Sequence, residues 1–176
     1  MSKKLFVAII AVCLLAGGVV GGSIAWLMDT TDPVTNTFTL GDVDIELDET
    51  TGASYKMVPG TTISKNPTVT IVDGSENAWV FVEVTKTNNP DTYLEYTIDN
   101  RWQALTGVDN VYYYEYGAAS GEVELSVLTG NTLTVKSTIE KDAITDGNEP
   151  KLTFKAYAIQ KEGFANATLA WEEISK

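Results

Sequence analysis

The stretch Trp79–Val84, which reads Trp-Val-Phe-Val-Glu-Val, decides the fold class of this chain. In an extended chain, alternate side chains point to opposite faces, so the two aromatic residues share one face and the three valines share the other. A strand that is apolar on both faces belongs where both faces are covered. The sequence therefore predicts a central, buried β-strand in the middle of a sandwich.

Segments of the same kind lie on both sides of this strand. They are short, rich in Val, Ile, Thr and aromatic residues, and separated by Gly, Pro, Asn or Asp, which is typical of a β-sandwich. The predicted strands before it are Val34–Leu40, Val43–Leu47 and Thr68–Val72, with a bend at Gly41 and turns at Pro59-Gly60 and Asp73-Gly74. The predicted strands after it are Tyr93–Ile98, Val111–Tyr116, Glu122–Leu128, Leu133–Ile139 and Leu152–Gln160.

Only the C-terminal segment has a helical pattern. Two sets of residues there share the three- to four-residue spacing of a helix face: Phe164, Thr168 and Trp171, and Ala167, Ala170 and Ile174. Neither Pro nor Gly follows Gly163. We therefore predict an all-β fold, an antiparallel β-sandwich over residues 41–176 that ends in a short helix.

Residues 1–25 have the order of regions found in a secretory signal peptide. Lys3 and Lys4 precede the run Leu5–Val20, which contains no charged side chain, and small residues follow it. We therefore expect the chain to be exported, and its contact with the membrane to be made only through this segment.

The expected cleavage site lies between Ala25 and Trp26. Ser23 and Ala25 are small residues at the −3 and −1 positions, which signal peptidase accepts. The alternative is a retained membrane anchor, because Leu5–Met28 is about long enough to span a bilayer. Cleavage would remove Cys13, the only cysteine, so the mature chain would form no disulfide.

Composition excludes several classes of function. The chain of 176 residues has no histidine, so Ser-His-Asp or Cys-His catalysis and His-based zinc sites are impossible. Its formal charge of −12, which becomes −14 once two lysines leave with the signal segment, argues against nucleic acid as a partner. The hydrophobic content of 44% is too high for a disordered acidic tail.

Carboxylates are the only abundant titratable groups, so an enzyme built on this chain would need paired carboxylates or a carboxylate-bound metal. Four acidic residues alternate along one predicted strand face: Asp42, Asp44, Glu46 and Asp48. They resemble a calcium ladder only loosely, because the spacing of an EF-hand loop is missing. A solvated acidic face is the interpretation that we favour, and we predict no metal or cofactor.

The densest aromatic patch consists of Tyr112, Tyr113, Tyr114 and Tyr116. It would serve either as a stacking platform for sugar or as an ordinary strand with tyrosines on both faces, and we favour the second interpretation. For Trp79, Trp102 and Trp171 a place in the core is likewise favoured over a place in a binding site.

Residues 26–40 stand apart from the rest of the chain. They begin with the apolar cluster Trp26-Leu27-Met28, pass a polar break at Asp32-Pro33, and continue as an alternating, Thr-rich strand that carries Val34, Phe38 and Leu40. Proline cannot donate a ladder hydrogen bond, so it divides this segment into an arm and a strand. The segment is either the first strand of its own sandwich or a strand that pairs with an open edge of another copy.

A series of short motifs carries a resemblance to a known family. Near the N-terminus they are Gly21–Trp26 with Asp29, Asn36–Thr39 followed by Gly41, and Val43–Ile45. Further on they are Val58–Gly60, Lys65, Pro67, Val69, Ala78–Val84, Ala158–Gln160, Gly163-Phe164, Ala167 and Ala170-Trp171. In this order the chain resembles the TasA/CalY (camelysin) family, whose precursors carry a signal peptide processed by a SipW-type signal peptidase.

The resemblance implies a jelly-roll sandwich that a Gram-positive-type bacterium secretes to its extracellular matrix or cell surface, where subunits assemble into biofilm fibres. In fibre-forming relatives, the N-terminal segment of one subunit inserts into the next subunit as a donor strand. Carried over, the donor residues are Trp26, Leu27, Met28, Val34, Phe38 and Leu40. The implied partners are further copies of the chain, a SipW-type signal peptidase and a second family member.

Part of this family is described as metalloendopeptidase. The present chain has no His-Glu-x-x-His element and no histidine, so we predict that it is not an enzyme. The alternatives to a structural subunit are a cell-surface adhesin or carbohydrate-binding module, which would use Tyr112–Tyr116, and a camelysin-like metalloendopeptidase.

Overall fold

Antiparallel β-strands form most of the part of the chain that the computed structural model describes, which is residues 42–52, 54–140, 143–145 and 147–176. The strands there are β1 (Ile45–Asp48), β2 (Thr62–Ser64), β3 (Thr68–Ile71), β4 (Ala78–Thr87), β5 (Leu94–Glu95), β6 (Gln103–Ala104), β7 (Val111–Tyr116), β8 (Val123–Ser126), β9 (Thr132–Val135) and β10 (Lys151–Gln160). The helices are α1 (Pro90–Tyr93) and α2 (Ala167–Ile174), and short 3₁₀ turns occur at Ala118–Ser120 and Thr129–Asn131. The predicted all-β class is confirmed, whereas α1 was not predicted.

The strands form three antiparallel sheets, with the orders β1-β3-β8, β10-β4-β7-β6 and β2-β9-β5. Strand β4 pairs along its whole length with β10, from Ala78 opposite Gln160 to Thr87 opposite Lys151. On its other side β4 pairs with β7. The predicted central position of Trp79–Val84 is therefore confirmed.

The main core lies between the β1-β3-β8 sheet and one face of the four-stranded sheet. From β3 and β4 it receives Val69, Ile71, Val80 and Val82, which are fully buried. Tyr116 and Trp102 complete it, and both donate a hydrogen bond from inside the core to a backbone carbonyl, at 2.8 Å and 3.0 Å respectively. The phenol hydroxyl and the indole N–H can be buried because each donates a hydrogen bond to a carbonyl.

The opposite face of the four-stranded sheet is covered by helix α2. Trp171, Ala170 and Ala167 are buried against Phe81 and Trp79, on the aromatic face of β4. The helix begins where the Asn166 side chain accepts a hydrogen bond from the backbone N–H of Leu169, at 3.0 Å. The predicted C-terminal helix is confirmed, and its buried face contains members of both predicted sets.

The third sheet, β2-β9-β5, encloses a smaller apolar cluster at one end of the molecule. Leu94, Leu133 and Val135 are buried there, and Met57 and Ile63 pack against them. These strands are only two to four residues long.

The prediction of a strand over Tyr93–Ile98 is wrong for most of its length. Asn88 and Asn89 adopt positive φ angles of 58° and 49°, and Pro90 then starts the helical turn α1, which takes Tyr93 out of the strand. Only Leu94–Glu95 is a strand, and Ile98 forms an isolated bridge with Leu128. The fixed φ of proline suits the first turn of a helix, which is why the chain coils here. Strands β2 and β6 were not predicted, and the observed β9 ends four residues before the predicted Ile139.

Candidate functional site

The predicted cleavage site and donor strand lie outside the described residues. This applies to Ser23, Ala25 and Trp26 at the cleavage site, to Leu27, Met28, Val34, Phe38 and Leu40 in the donor segment, and to the bend at Gly41. The described sandwich has sheet edges at which a further strand could pair.

Among the described residues, β1 and β10 are the outermost strands of their two sheets on one side of the sandwich, and they approach each other across the core. We call this edge the seam and define it as β1 together with β10. Its inward-pointing apolar side chains are Ile45 and Leu47 from β1 and Leu152, Phe154, Ala156 and Ala158 from β10, and all are only half-buried. Central strands β3 and β4, by contrast, bury their inward side chains fully. The apolar layer is therefore incompletely covered at the seam.

The same residues direct their backbone polar groups out of the sandwich. The carbonyl of Asp44 accepts from Val72 N at 3.1 Å, so the N–H and C=O groups of Ile45 and Leu47 point away from β3 by alternation. Lys161, just after β10, donates its backbone N–H to the Asn77 carbonyl at 2.7 Å, so the odd-numbered residues of β10 bond to β4 by alternation. The backbone N–H and C=O groups of Leu152, Phe154, Ala156 and Ala158 therefore point away from β4. An edge of this kind is a template for pairing with another strand.

Lys65 stabilises the chain at one end of the seam. This lysine is 6% exposed, and its Nζ lies 2.8 Å from both carboxylate oxygens of Glu49, the residue that follows β1. The same Nζ lies 5.4 Å from the ring centroids of Tyr55 and of Phe154 in β10. A single buried ammonium therefore connects the end of β1 to β10.

Glu49 is held in its charged form by this arrangement. Burial of the carboxylate acts to raise its pKa, but the hydrogen bonds from Lys65 and Tyr55 outweigh burial and bring the pKa below its ordinary value. Tyr55 Oη donates to Glu49 Oε1 at 2.8 Å. Nothing in the sequence pattern pointed to this pair, since its members are 16 residues apart and lie in irregular segments.

Comparisons of this chain with known protein families, curated proteins and solved structures find no match. Within residues 42–52, 54–140, 143–145 and 147–176, no helix is long and apolar enough to cross a membrane. In the same ranges, no group of three or more Asp, Glu, Cys or His side chains is placed to hold a metal ion.

The alternating acids in β1 and directly before it face solvent. Asp42, Asp44, Glu46 and Asp48 are exposed, whereas Val43, Ile45 and Leu47 between them are half-buried. The strand therefore presents a solvated acidic face on the outside of the sandwich, which is the interpretation that we favoured.

The tyrosines of β7 are divided between two faces. Tyr112 and Tyr114 pack against the main core around buried Tyr116, whereas Tyr113 packs on the other face, with its ring centroid 5.9 Å from that of Trp79. They do not form one continuous platform. Trp79, Trp102 and Trp171 are all buried, as predicted.

Proposed function

We propose that this protein is a secreted structural subunit that polymerises into extracellular matrix fibres of a Gram-positive-type bacterium by donor-strand exchange. The donor is the segment 26–40 of one copy, released by signal-peptidase cleavage after Ala25, and the acceptor is the seam of the next copy. The sandwich belongs in this proposal to the jelly-roll type. The single observation that supports it best is the coincidence at the seam of half-buried apolar side chains and outward-pointing backbone groups.

The dimensions of donor and acceptor are compatible. Strand β10 has 10 residues, which corresponds to about 33 Å at about 3.3 Å per residue. The seven residues of Val34–Leu40 would extend over about 23 Å of it. Val34, Asn36, Phe38 and Leu40 share one face of the donor. The three apolar members of that face would cover the half-buried layer, while the threonines would face solvent.

Charge does not oppose the pairing. Val34–Leu40 contains no ionisable side chain, so it enters the seam without burying a charge. The resemblance to the TasA/CalY (camelysin) family supports the same assignment, as does the order of signal segment, arm and strand in the first 40 residues.

The first experiment compares filament formation by the chain from Trp26 with that of a chain lacking Trp26–Thr39. We expect electron microscopy to show filaments only for the longer chain, while far-UV circular dichroism shows β structure in both. Filaments formed equally well without the segment would contradict donor-strand exchange.

A second experiment blocks the acceptor edge. The N–H of Ala156 points out of the sheet at the seam, so Ala156→Pro removes an outward donor and preserves the ladder with β4. Ala104→Pro is the matched control, because Ala104 also points its N–H outward, but on β6 at the opposite edge of the same sheet. We expect Ala156→Pro to abolish filaments and Ala104→Pro to leave them intact. The reverse pattern would contradict the assignment of the seam as the acceptor edge.

A further inference from the structure

An open groove of about 840 Å³ lies between the small β2-β9-β5 sheet and the β6 edge of the four-stranded sheet. This volume falls within the range typical of sites for small ligands, which is about 300–1,000 Å³. Its walls come from distant parts of the chain, including Lys86 at the end of β4, the segment Asp91–Asn100, Tyr112 on β7 and Thr129–Thr134. No residue of the two seam strands lines the groove, so the groove has no role in the proposed strand exchange.

Aromatic and aliphatic side chains share the apolar lining of the groove. Tyr96 and Tyr112 line it and are half-buried, with Lys86 Nζ 5.7 Å from the centroid of the Tyr96 ring. Trp102 is 5% exposed, and its Nε1 already donates to the Ser126 carbonyl at 3.0 Å, so this indole offers only apolar surface. The groove therefore combines half-buried tyrosine rings with an apolar base.

The polar groups of the groove are held in place by the protein itself. Asp91 Oδ2 lies 2.7 Å from Lys86 Nζ, and Asp91 Oδ1 accepts from Tyr96 Oη at 2.9 Å. Asp99 Oδ1 lies 3.0 Å from Arg101 Nε. Two of the carboxylates are thus neutralised by internal cations, which leaves Glu95 exposed on the groove wall without an ion pair to a described residue.

From this combination we infer that the groove binds a neutral polysaccharide chain. Aromatic rings that line a groove pack against the C–H faces of sugar rings, fixed carboxylates accept hydrogen bonds from sugar hydroxyls, and threonine hydroxyls donate or accept them. An anionic polymer is disfavoured by three carboxylates in the groove and by a formal charge of −12 over the chain. A cationic ligand is disfavoured because most of the local negative charge is already paired.

The test measures binding of protein purified from cells that express the full chain. The probes are immobilised neutral hexose polymers (glucan, galactan and mannan), a polyuronic acid and polylysine. We expect binding to at least one neutral polymer and weaker binding to both charged ones. Absence of binding to every neutral polymer, or preference for a charged one, would overturn the inference.

Variants locate the binding to the groove. Tyr112→Ala and Glu95→Gln should each weaken binding about tenfold or more, as expected for loss of a stacking ring or of a charge-assisted hydrogen bond. Tyr113→Ala is the matched control, since Tyr113 is on the same strand, points to the other face and bonds Gln103 at 2.9 Å. If the circular dichroism spectrum shows that Tyr112→Ala is unfolded, the binding of Glu95→Gln alone decides whether the groove is the site, because Glu95 is exposed. Unchanged binding in Glu95→Gln with a loss in Tyr113→Ala would contradict the assignment.

Discussion

Replacing Trp171 by alanine should destabilise the protein strongly, because this residue fixes helix α2 on the sheet. Its ring is 8% exposed and lies 5.3 Å, between centroids, from both Phe81 and Tyr157. Truncation of a buried Trp to Ala costs about 3–5 kcal/mol, which includes the loss of both aromatic contacts. At about 2–4 °C per kcal/mol for a domain of this size, the melting temperature should fall by about 6–20 °C.

The assay is urea unfolding followed by far-UV circular dichroism, which does not depend on the fluorescence of the residue removed. Leu169→Ala is the matched control, because Leu169 lies on the same helix with 46% of its surface exposed. It should change the free energy of unfolding by no more than about 0.5 kcal/mol. Equal effects of the two substitutions would refute the packing of α2 against the aromatic face of β4.

Three further predictions concern charge. Because the pKa of Glu49 is lowered in the folded state, its pairing with Lys65 stabilises the protein at neutral pH, and this contribution is lost as the pH falls through the folded pKa. Glu49→Gln should therefore lower the free energy of unfolding at pH 7 and flatten the acid side of a plot of urea midpoint against pH. An unchanged plot would refute the contribution of this pair. Burial and a hydrogen bond to Asp91 raise the pKa of Tyr96 to about 12, so Asp91→Asn should lower that value in an ultraviolet titration; an unchanged pKa would contradict a role for this bond. Raising salt from about 10 to about 150 mM, which shortens the Debye length from about 30 to about 8 Å, should promote filaments of this acidic chain in light scattering; a flat signal would argue against charge repulsion as the barrier.

The strands that could be predicted are those that carry several apolar or aromatic side chains in one run. Val111–Tyr116 was predicted with its observed bounds, and β4 and β10 were placed within a few residues. Strand β4 is apolar on both faces, and β10 carries Leu152, Phe154, Ala156 and Ala158 at a period of two. Strands β2 and β6 have three and two residues, which is too short for any period to be visible. Their extended conformation depends on pairing with β9 and β7, respectively.

The candidate sites could be predicted only in part. The donor segment was found from its composition, since it is continuous in sequence. The seam was not found, because the outer position of β1 and β10 depends on the pairing order of strands that are about 100 residues apart. The groove was missed because its lining comes from several strands and loops that are distant in sequence. The Lys65–Glu49 pair was missed because its two members lie in irregular segments that share no pattern.

Photo-crosslinking from the N-terminal segment tests donor-strand exchange most directly. A benzophenone amino acid replaces Phe38, and filaments are grown from a mixture of unlabelled and 15N-labelled chains before irradiation and mass spectrometry. We predict crosslinks that join a labelled to an unlabelled chain and that map to the seam, residues 45–48 or 151–160. Crosslinks confined to a single chain, or mapping to β6 or β8 at the other edge, would contradict it.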